Sequence, residues 1–397
     1  MITDLKGAAP NARHSGAYRE QWTRLLSALA EVGQFTQNVP LAQTPYTQAQ
    51  SVRFMLRLVE GMITTALEFD DADYPKLVRM FDLANLHPNT NPDCVYFYSR
   101  LSPQHQYRIH GLAGSARILE VQVMDGHFPA GPNHKSLGTL SNLKGDAQGQ
   151  IEIVLSATPQ PGNWVKLAPM AAWIYVRQYY YDWEREIPAD LVIERIGATY
   201  PPAPISADEL RARVDRIINW IPTWYRHLNS RVVGYYDSPK DSLAFFMSSA
   251  GMDELHCGKG SFDLHPDEAL VLEFKPPACP YWGFQLMNDF WETLPFDVHT
   301  SSLNGHQARL DADGVFRAVI SLRDPGAPNW LDPVGNHKGL ICARVLRPKQ
   351  PPRVSLRKIK LADVQSHLAP GTPVVSPAQR SEALLTRMRA TARRYRE

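Results

Sequence analysis

The stretch PACPYWGFQLMNDFWETLPF, Pro277–Phe296, decides how this chain folds. Read as a strand, it puts Trp282, Phe284, Leu286 and Asn288 on one face and Tyr281, Gly283, Gln285 and Met287 on the other. Neither face is purely polar, so both are expected to be covered. Core packing accounts for that pattern. A few amides among large aromatic rings also line small-molecule pockets, which makes Trp282, Gln285, Asn288 and Trp291 candidate binding residues.

Working outward, ALVLEFK, HQARL, VFRAVIS and LICARVL read as further strands in a β-rich section from about 240 to 348. DADG (311–314) is an Asp-Gly turn joining antiparallel neighbours. Upstream, CVYFYSRL (94–101), QYRIHGL (106–112), SARILEVQVM (115–124), IEIVLS (151–156) and AAWIYVRQYYYDW (171–183) form a second set of strands. Helices bracket both sets. Tyr18, Trp22, Leu25, Leu26, Leu29 and Val32 recur at helical spacing, and a second helix fits 49–68. After the proline-rich TYPPAPIS (199–206), Ser206 and Glu209 make a capping box, and Pro222 is expected to bend or end that helix. Ser376, Pro377 and Gln379 cap a C-terminal helix.

The expected fold is α+β and β-rich: two antiparallel sandwich-like modules with helical N-terminal, linking and C-terminal segments. The expected boundaries are 1–84 (helical), 85–198 (first β module), 199–238 (linking helix), 239–350 (second β module) and 351–397 (linker and basic helix). No internal repeat at a fixed period is expected.

With 44% apolar and 21% charged residues the chain can bury a large core. A net charge of +2 gives no general reason to bind nucleic acid or an anionic membrane. The four cysteines are widely spaced, which fits reduced thiols and a cytoplasmic protein. From Arg380 the tail carries six arginines against two glutamates. That is expected to make a solvated face or a subunit contact, the latter giving a homo-oligomer through the C-terminal helix; binding to an acidic partner is the alternative.

Common catalytic motifs are missing: no G-x-S-x-G, P-loop, G-x-G-x-x-G or H-E-x-x-H occurs. His110, His127, His134, His256, His265, His299, His306 and His337 show no tight ligand spacing, so neither a metal nor an organic cofactor is expected. Four polar clusters remain. Asp93, in HPNTNPDCVYFY, is a candidate base at a strand mouth, although Asn-Pro-Asp also makes tight turns. Arg177, between aromatic residues, would grip an acidic group or pair internally with Asp182 or another carboxylate. The opening stretch is the third. In the fourth, His299, His306 and Asn304 crowd a loop, and Asn329 and Trp330 sit in another.

The motifs YW…Q…N…W, S…N, DG, P…NWL and R…P resemble a bacterial family catalogued as domain of unknown function 1214. They fall on Tyr281, Trp282, Gln285, Asn288, Trp291, Ser302, Asn304, Asp313, Gly314, Asn329, Trp330, Leu331, Arg344 and Pro348. NPDCVY and YRIHG are similar to its upstream pieces, so the resemblance spans roughly residues 85–350. It implies a β-rich, sandwich-like fold and supplies no reaction. The expected function is an enzyme acting on a small, partly apolar molecule by general acid–base chemistry, with Asp93, His299 and His306 moving protons. Alternatives are a non-catalytic binder of a carbohydrate or hydrophobic metabolite and an assembly protein.

Overall fold

The computed structural model describes residues 15–38, 44–84, 88–126, 134–141, 143–236, 240–248, 252 and 254–396. His127 lies outside them.

Two helices open the chain, α1 (Ser15–Asn38) and α2 (Pro45–Ile63). Thr44 caps α2 reciprocally with Thr47. Nine strands follow: β1 (Val78–Arg79), β2 (Cys94–Arg100), β3 (Tyr107–Leu112), β4 (Ile118–Asp125), β5 (Ser136–Leu140), β6 (Gln150–Ser156), β7 (Asn163–Lys166), β8 (Ala171–Tyr179) and β9 (Asp190–Arg195). They form a sheet of order β1-β2-β8-β4-β5 and a second of order β7-β6-β3-β9. Helix α3 (Ala207–Tyr236) then crosses to a further nine: β10 (Ser242–Met247), β11 (Leu255–Asp263), β12 (Glu268–Phe274), β13 (Tyr281–Met287), β14 (Ser302–Asn304), β15 (Phe316–Ser321), β16 (Trp330–Leu331), β17 (Lys338–Leu346) and β18 (Val354–Lys360). Their sheets have the orders β10-β11-β17-β13-β14 and β16-β15-β12-β18. The chain closes with a short α4 (Val364–His367) and α5 (Pro377–Arg394). The protein is therefore α+β and β-rich, with sandwich-like modules.

The second set of sheets repeats the first, each strand matching the one nine places later. Even the unusual parallel pair recurs, β6 with β7 and β15 with β16. Side chains recur too. Asp146 and Gly149 close a turn as Asp311 and Gly314 do, with both glycines at positive φ. Asn163 Nδ2 donates to the Lys144 and Glu152 carbonyls and its Oδ1 accepts from Lys144 N–H. Asn329 makes the same three bonds, to Arg309 and Arg317. Trp164 and Trp330 follow, hydrogen-bonded through Nε1 to Ser156 Oγ and the Ser321 carbonyl. The chain is thus a structural duplication. Loop lengths differ between the halves, so no fixed period shows in the sequence.

Strand alternation assigns the faces. Ile174 and Val176 on β8 join Val121, Ile109 and Ile153 inside the first sandwich. Trp282, Phe284 and Leu286 on β13 join Phe274, Phe316 and Ile341 inside the second. The opposite faces, with Tyr96, Tyr98, Trp173, Tyr179 and Tyr281, meet at a seam closed by Phe54, Met55, Leu58 and Met62 of α2 and Ile217, Trp220 and Trp224 of α3.

Several local expectations change. Pro222 neither ends nor shortens α3, since the helix runs on to Tyr236. One lost backbone bond is outweighed by burial of Ile217, Trp220, Ile221, Trp224 and Tyr225 around it. Ser206 Oγ accepts from Glu209 N–H, but the Glu209 carboxylate takes Arg213 and Arg216 instead of closing the box. HQARL is a turn, because Asn304 Oδ1 accepts from His306 N–H and Gln307 N–H. The Ser376–Gln379 capping box forms as expected. Among the described residues no helix is long and apolar enough to cross a membrane.

If Asn163 and Asn329 are equivalent fasteners, alanine at either site removes three part-buried hydrogen bonds to backbone groups and lowers stability by about 1–3 kcal/mol. Urea unfolding of both variants checks this. An Asn329→Ala protein as stable as wild type would mean that Asn329 is not holding the fold.

Candidate functional site

Two of the polar clusters meet at the seam. The segment before β2 bridges the turn after β13: Pro88 pairs with Glu292, and Asn89 N–H donates to the Trp291 carbonyl at 2.8 Å. The Thr90 carbonyl accepts from Gln285 Nε2 at 3.0 Å and Thr293 Oγ1 at 2.7 Å. Arg344, buried on β17, donates to Gln285 Oε1 at 2.5 Å and to Asn89 O and Oδ1 at 2.6 and 2.7 Å. Asn288 Oδ1 accepts from Phe290 N–H and Glu292 N–H, closing an Asx turn. Glu292, also buried, is paired with Arg57 of α2 at 2.6 Å. Asn89 and Trp291 both have positive φ, 60° and 66°. Asparagine tolerates this; a bulky tryptophan is strained by it and is held there by the clasp.

Asp93 is the centre of the same contact. Its carboxylate accepts from Trp183 Nε1 at 2.8 Å, Asn304 Nδ2 at 2.6 Å and Tyr281 Oη at 2.7 Å. Burial pushes its pKa up, against the opposing pull of Tyr281, Asn304, the Arg394 charge and Trp183. Asp93, Gln285, Asn288, Trp291 and Asn304 therefore converge, all buried, in an inter-module clasp.

The other candidates lie elsewhere. Arg177 hydrogen-bonds Gln122, lies 3.6 Å from Glu120 and covers the Tyr175 ring. Glu120, not Asp182, is its carboxylate. Arg177 with Gln122 repeats Arg344 with Gln285, each arginine being the seventh residue of its strand. Trp282 packs against Phe274 and Phe316 inside the sandwich. Asn329 and Trp330 fasten their loop as described. His299 Nδ1 lies 2.7 Å from Asp332, and that hydrogen bond raises the histidine pKa while partial burial opposes it.

His306 reaches a cavity. Half-exposed, it faces Asp182 at 3.6 Å on the wall of a cleft of about 590 Å³ between α5, the segment after β8 and the second module. Trp183, Gln307, Glu382 and Arg387 also line it. The basic tail is turned inward here. Arg380 pairs with Asp324 at 2.8 Å, Arg387 donates to Ser302 Oγ at 2.7 Å, and Arg394 donates to the Pro92 carbonyl at 2.7 Å. Burial draws the Arg387 pKa down, but a guanidinium remains protonated at neutral pH. The signal for this was present in the sequence: Arg380, Arg387 and Arg394 recur every seven residues, on one helix face. Nothing in the sequence marked Arg57 or Glu292. Among the described residues no three His, Cys, Asp or Glu side chains gather as metal ligands.

Residues 98–181 match DUF1214, a protein family of unknown function. The DUF1214 match lies in the first β module, within the span of the resemblance and upstream of its C-terminal motifs. A crystal structure of an uncharacterised protein from Burkholderia cenocepacia is similar with a TM-score of 0.83 and 29% identity, covering 88% of this chain and 99% of that one. A protein from Vibrio parahaemolyticus gives a TM-score of 0.44 at 12% identity, covering 77% of this chain and 99% of its own. No curated protein matches the chain.

Asp93→Ala leaves the Trp183, Asn304 and Tyr281 donors without their buried acceptor and should cost about 2–4 kcal/mol in chemical denaturation; a neutral effect would refute the clasp. His299 gives a pH signature. Its folded pKa is raised above 6.5, so its stabilisation is complete below that pH and is lost as pH rises through the folded value. The melting-temperature gap between wild type and His299→Gln should therefore narrow toward alkaline pH, and a gap that widens would contradict the pairing.

Proposed function

We propose that the chain binds a small organic molecule with polar and apolar parts in the cleft under α5. The cleft itself carries this reading: about 590 Å³ lies within the roughly 300–1,000 Å³ of small-molecule sites. Leu303, Leu384 and Pro328 offer apolar surface, and His306, Asp182, Gln307 and Glu382 offer polar groups. A carbohydrate stacked on an aromatic ring fits less well. Trp183 is buried, and the Arg387 and Arg394 guanidiniums lie 4.3 and 4.1 Å from its ring centre. Four free cysteines fit a reducing, cytoplasmic setting.

The binding reading is preferred to catalysis because Asp93, Arg177 and His299 are committed to internal partners. One observation favours an enzyme: His306 with Asp182 is a solvent-reachable histidine–carboxylate pair on the cleft wall. Such a pair can position an imidazole as a general base.

A metabolite library screened by thermal shift tests both. Ala383, exposed on α5 at the cleft, can be replaced by tryptophan to fill the space without entering the core. Hits should stabilise wild type and fail to stabilise Ala383→Trp; equal shifts in both would place binding elsewhere. For any hit that is also turned over, His306→Ala should reduce kcat by about 10²–10⁴-fold if the histidine is the base. With binding alone, His306→Ala would weaken affinity and no turnover would appear in either protein.

A further inference from the structure

The three arginines on the inner face of α5 are not equivalent. Arg380 forks onto the two Asp324 oxygens at 2.8 and 3.2 Å, so its charge is neutralised where it stands. Arg394 is buried and shares the field of the Asp93 carboxylate. Arg387 lines the cleft and, among the described residues, has no carboxylate within ion-pair distance. Its Nε donates to the Phe296 carbonyl and its Nη2 to Ser302 Oγ at 2.7 Å, both neutral acceptors. Nη1 has Gln307 Oε1 at 3.5 Å. A guanidinium carries five N–H donors, so two remain for another acceptor. The Trp183 ring, with its centre 4.3 Å away, packs against the group and holds it in place. Burial and the Arg394 charge draw the Arg387 pKa down, and Asp93 and Asp297 pull the other way without offsetting them. The acidic groups of the cleft stand apart from this cation. Glu184 and Glu382 are exposed at the rim, and Asp182 is engaged by His306 at 3.6 Å and Arg185 at 3.8 Å.

We infer that the cleft takes an organic monocarboxylate, its carboxylate against Arg387 and its apolar body along Leu303, Pro328 and Leu384. This deepens the binding reading above and rests on it. One carboxylate matches one guanidinium that has no carboxylate of its own, and the planar fork suits its two oxygens. A second anionic group would meet Glu184 and Glu382 and find no cation, which disfavours dicarboxylates and phosphate esters. A neutral amide would turn an N–H₂ toward N–H donors.

Ligand-observed NMR on the full chain tests this with a matched set: hexanoate and 3-phenylpropanoate, their amides, and the dicarboxylates adipate and benzylmalonate. Both monocarboxylates should bind wild type and lose that binding in Ala383→Trp. The amides and dicarboxylates should bind wild type at least roughly tenfold more weakly. Arg387→Gln, folded by circular dichroism, should bring the monocarboxylates level with their amides. The comparison of acid with amide leaves the protein unaltered, so it decides the matter even if Arg387→Gln fails to fold. Amides that bind as tightly as the acids, with Ala383→Trp blocking both, would overturn the carboxylate assignment and leave the cleft as a binding site. Dicarboxylates that bind more tightly than monocarboxylates would overturn it too, as would a set that does not bind at all. Monocarboxylates that bind Ala383→Trp as well as wild type would overturn the cleft reading along with it.

Discussion

A carboxylate removed from water must be met by donors, and Asp93 takes its donors from both halves of the chain. Trp183 belongs to the first module, and Tyr281 and Asn304 to the second. Neither module alone can satisfy it. The same holds for Arg344, which reaches back to Asn89, and for Glu292, which is reached by Arg57 from the N-terminal helices. The modules are thus mutually dependent: separating them would break these charge-assisted bonds and expose the aromatic seam to water.

The duplication explains which polar residues are structural. A residue repeated with the same bonds in both modules serves the module, as Asn163 and Asn329 do, and as Gln122 and Gln285 do toward their arginines. A residue without a counterpart serves what is particular to this chain. The clasp turn at Trp291, the Asp182–His306 pair and α5 are of the second kind. The cleft lies among these unrepeated parts, where a binding role can change without disturbing the sandwiches.

Much of the architecture was legible in the sequence because strand alternation and helix caps are local signals. The two faces of Pro277–Phe296, the Asp-Gly turn and the Ser376 box depend on neighbours a few residues away. The site was less legible because it is made of distant pairs. Asp93 looked like a base because sequence shows a carboxylate at a strand mouth but not the three donors around it. The sequence allows Arg177 an internal carboxylate, Asp182 or another, but does not show that Glu120 stands opposite it on the neighbouring strand. Gln122 passed unnoticed for the same reason. Trp282 and Trp330 looked like pocket walls because an aromatic ring reads alike whether it faces a cavity or a core. The repeat was partly visible, as DAQG…NW and DADG…NW, but loop-length drift hid it from a search for a fixed period.

The inward arginine face of α5 also bears on the order of synthesis. Arg394 donates to the carbonyl of Pro92 and contributes the charge that steadies Asp93. At about 5–20 residues per second, roughly 15–60 s separate translation of these two positions. Through that interval β2 is available but its leading loop has neither the second module nor α5 to close on. The first sandwich can assemble its own interior while the ribosome continues, yet its seam face, rich in tyrosine and tryptophan, has only α2 to cover it until α3 and the second module emerge. A nascent chain of this protein is therefore most exposed to chaperones and to aggregation along that face until the second module has been made.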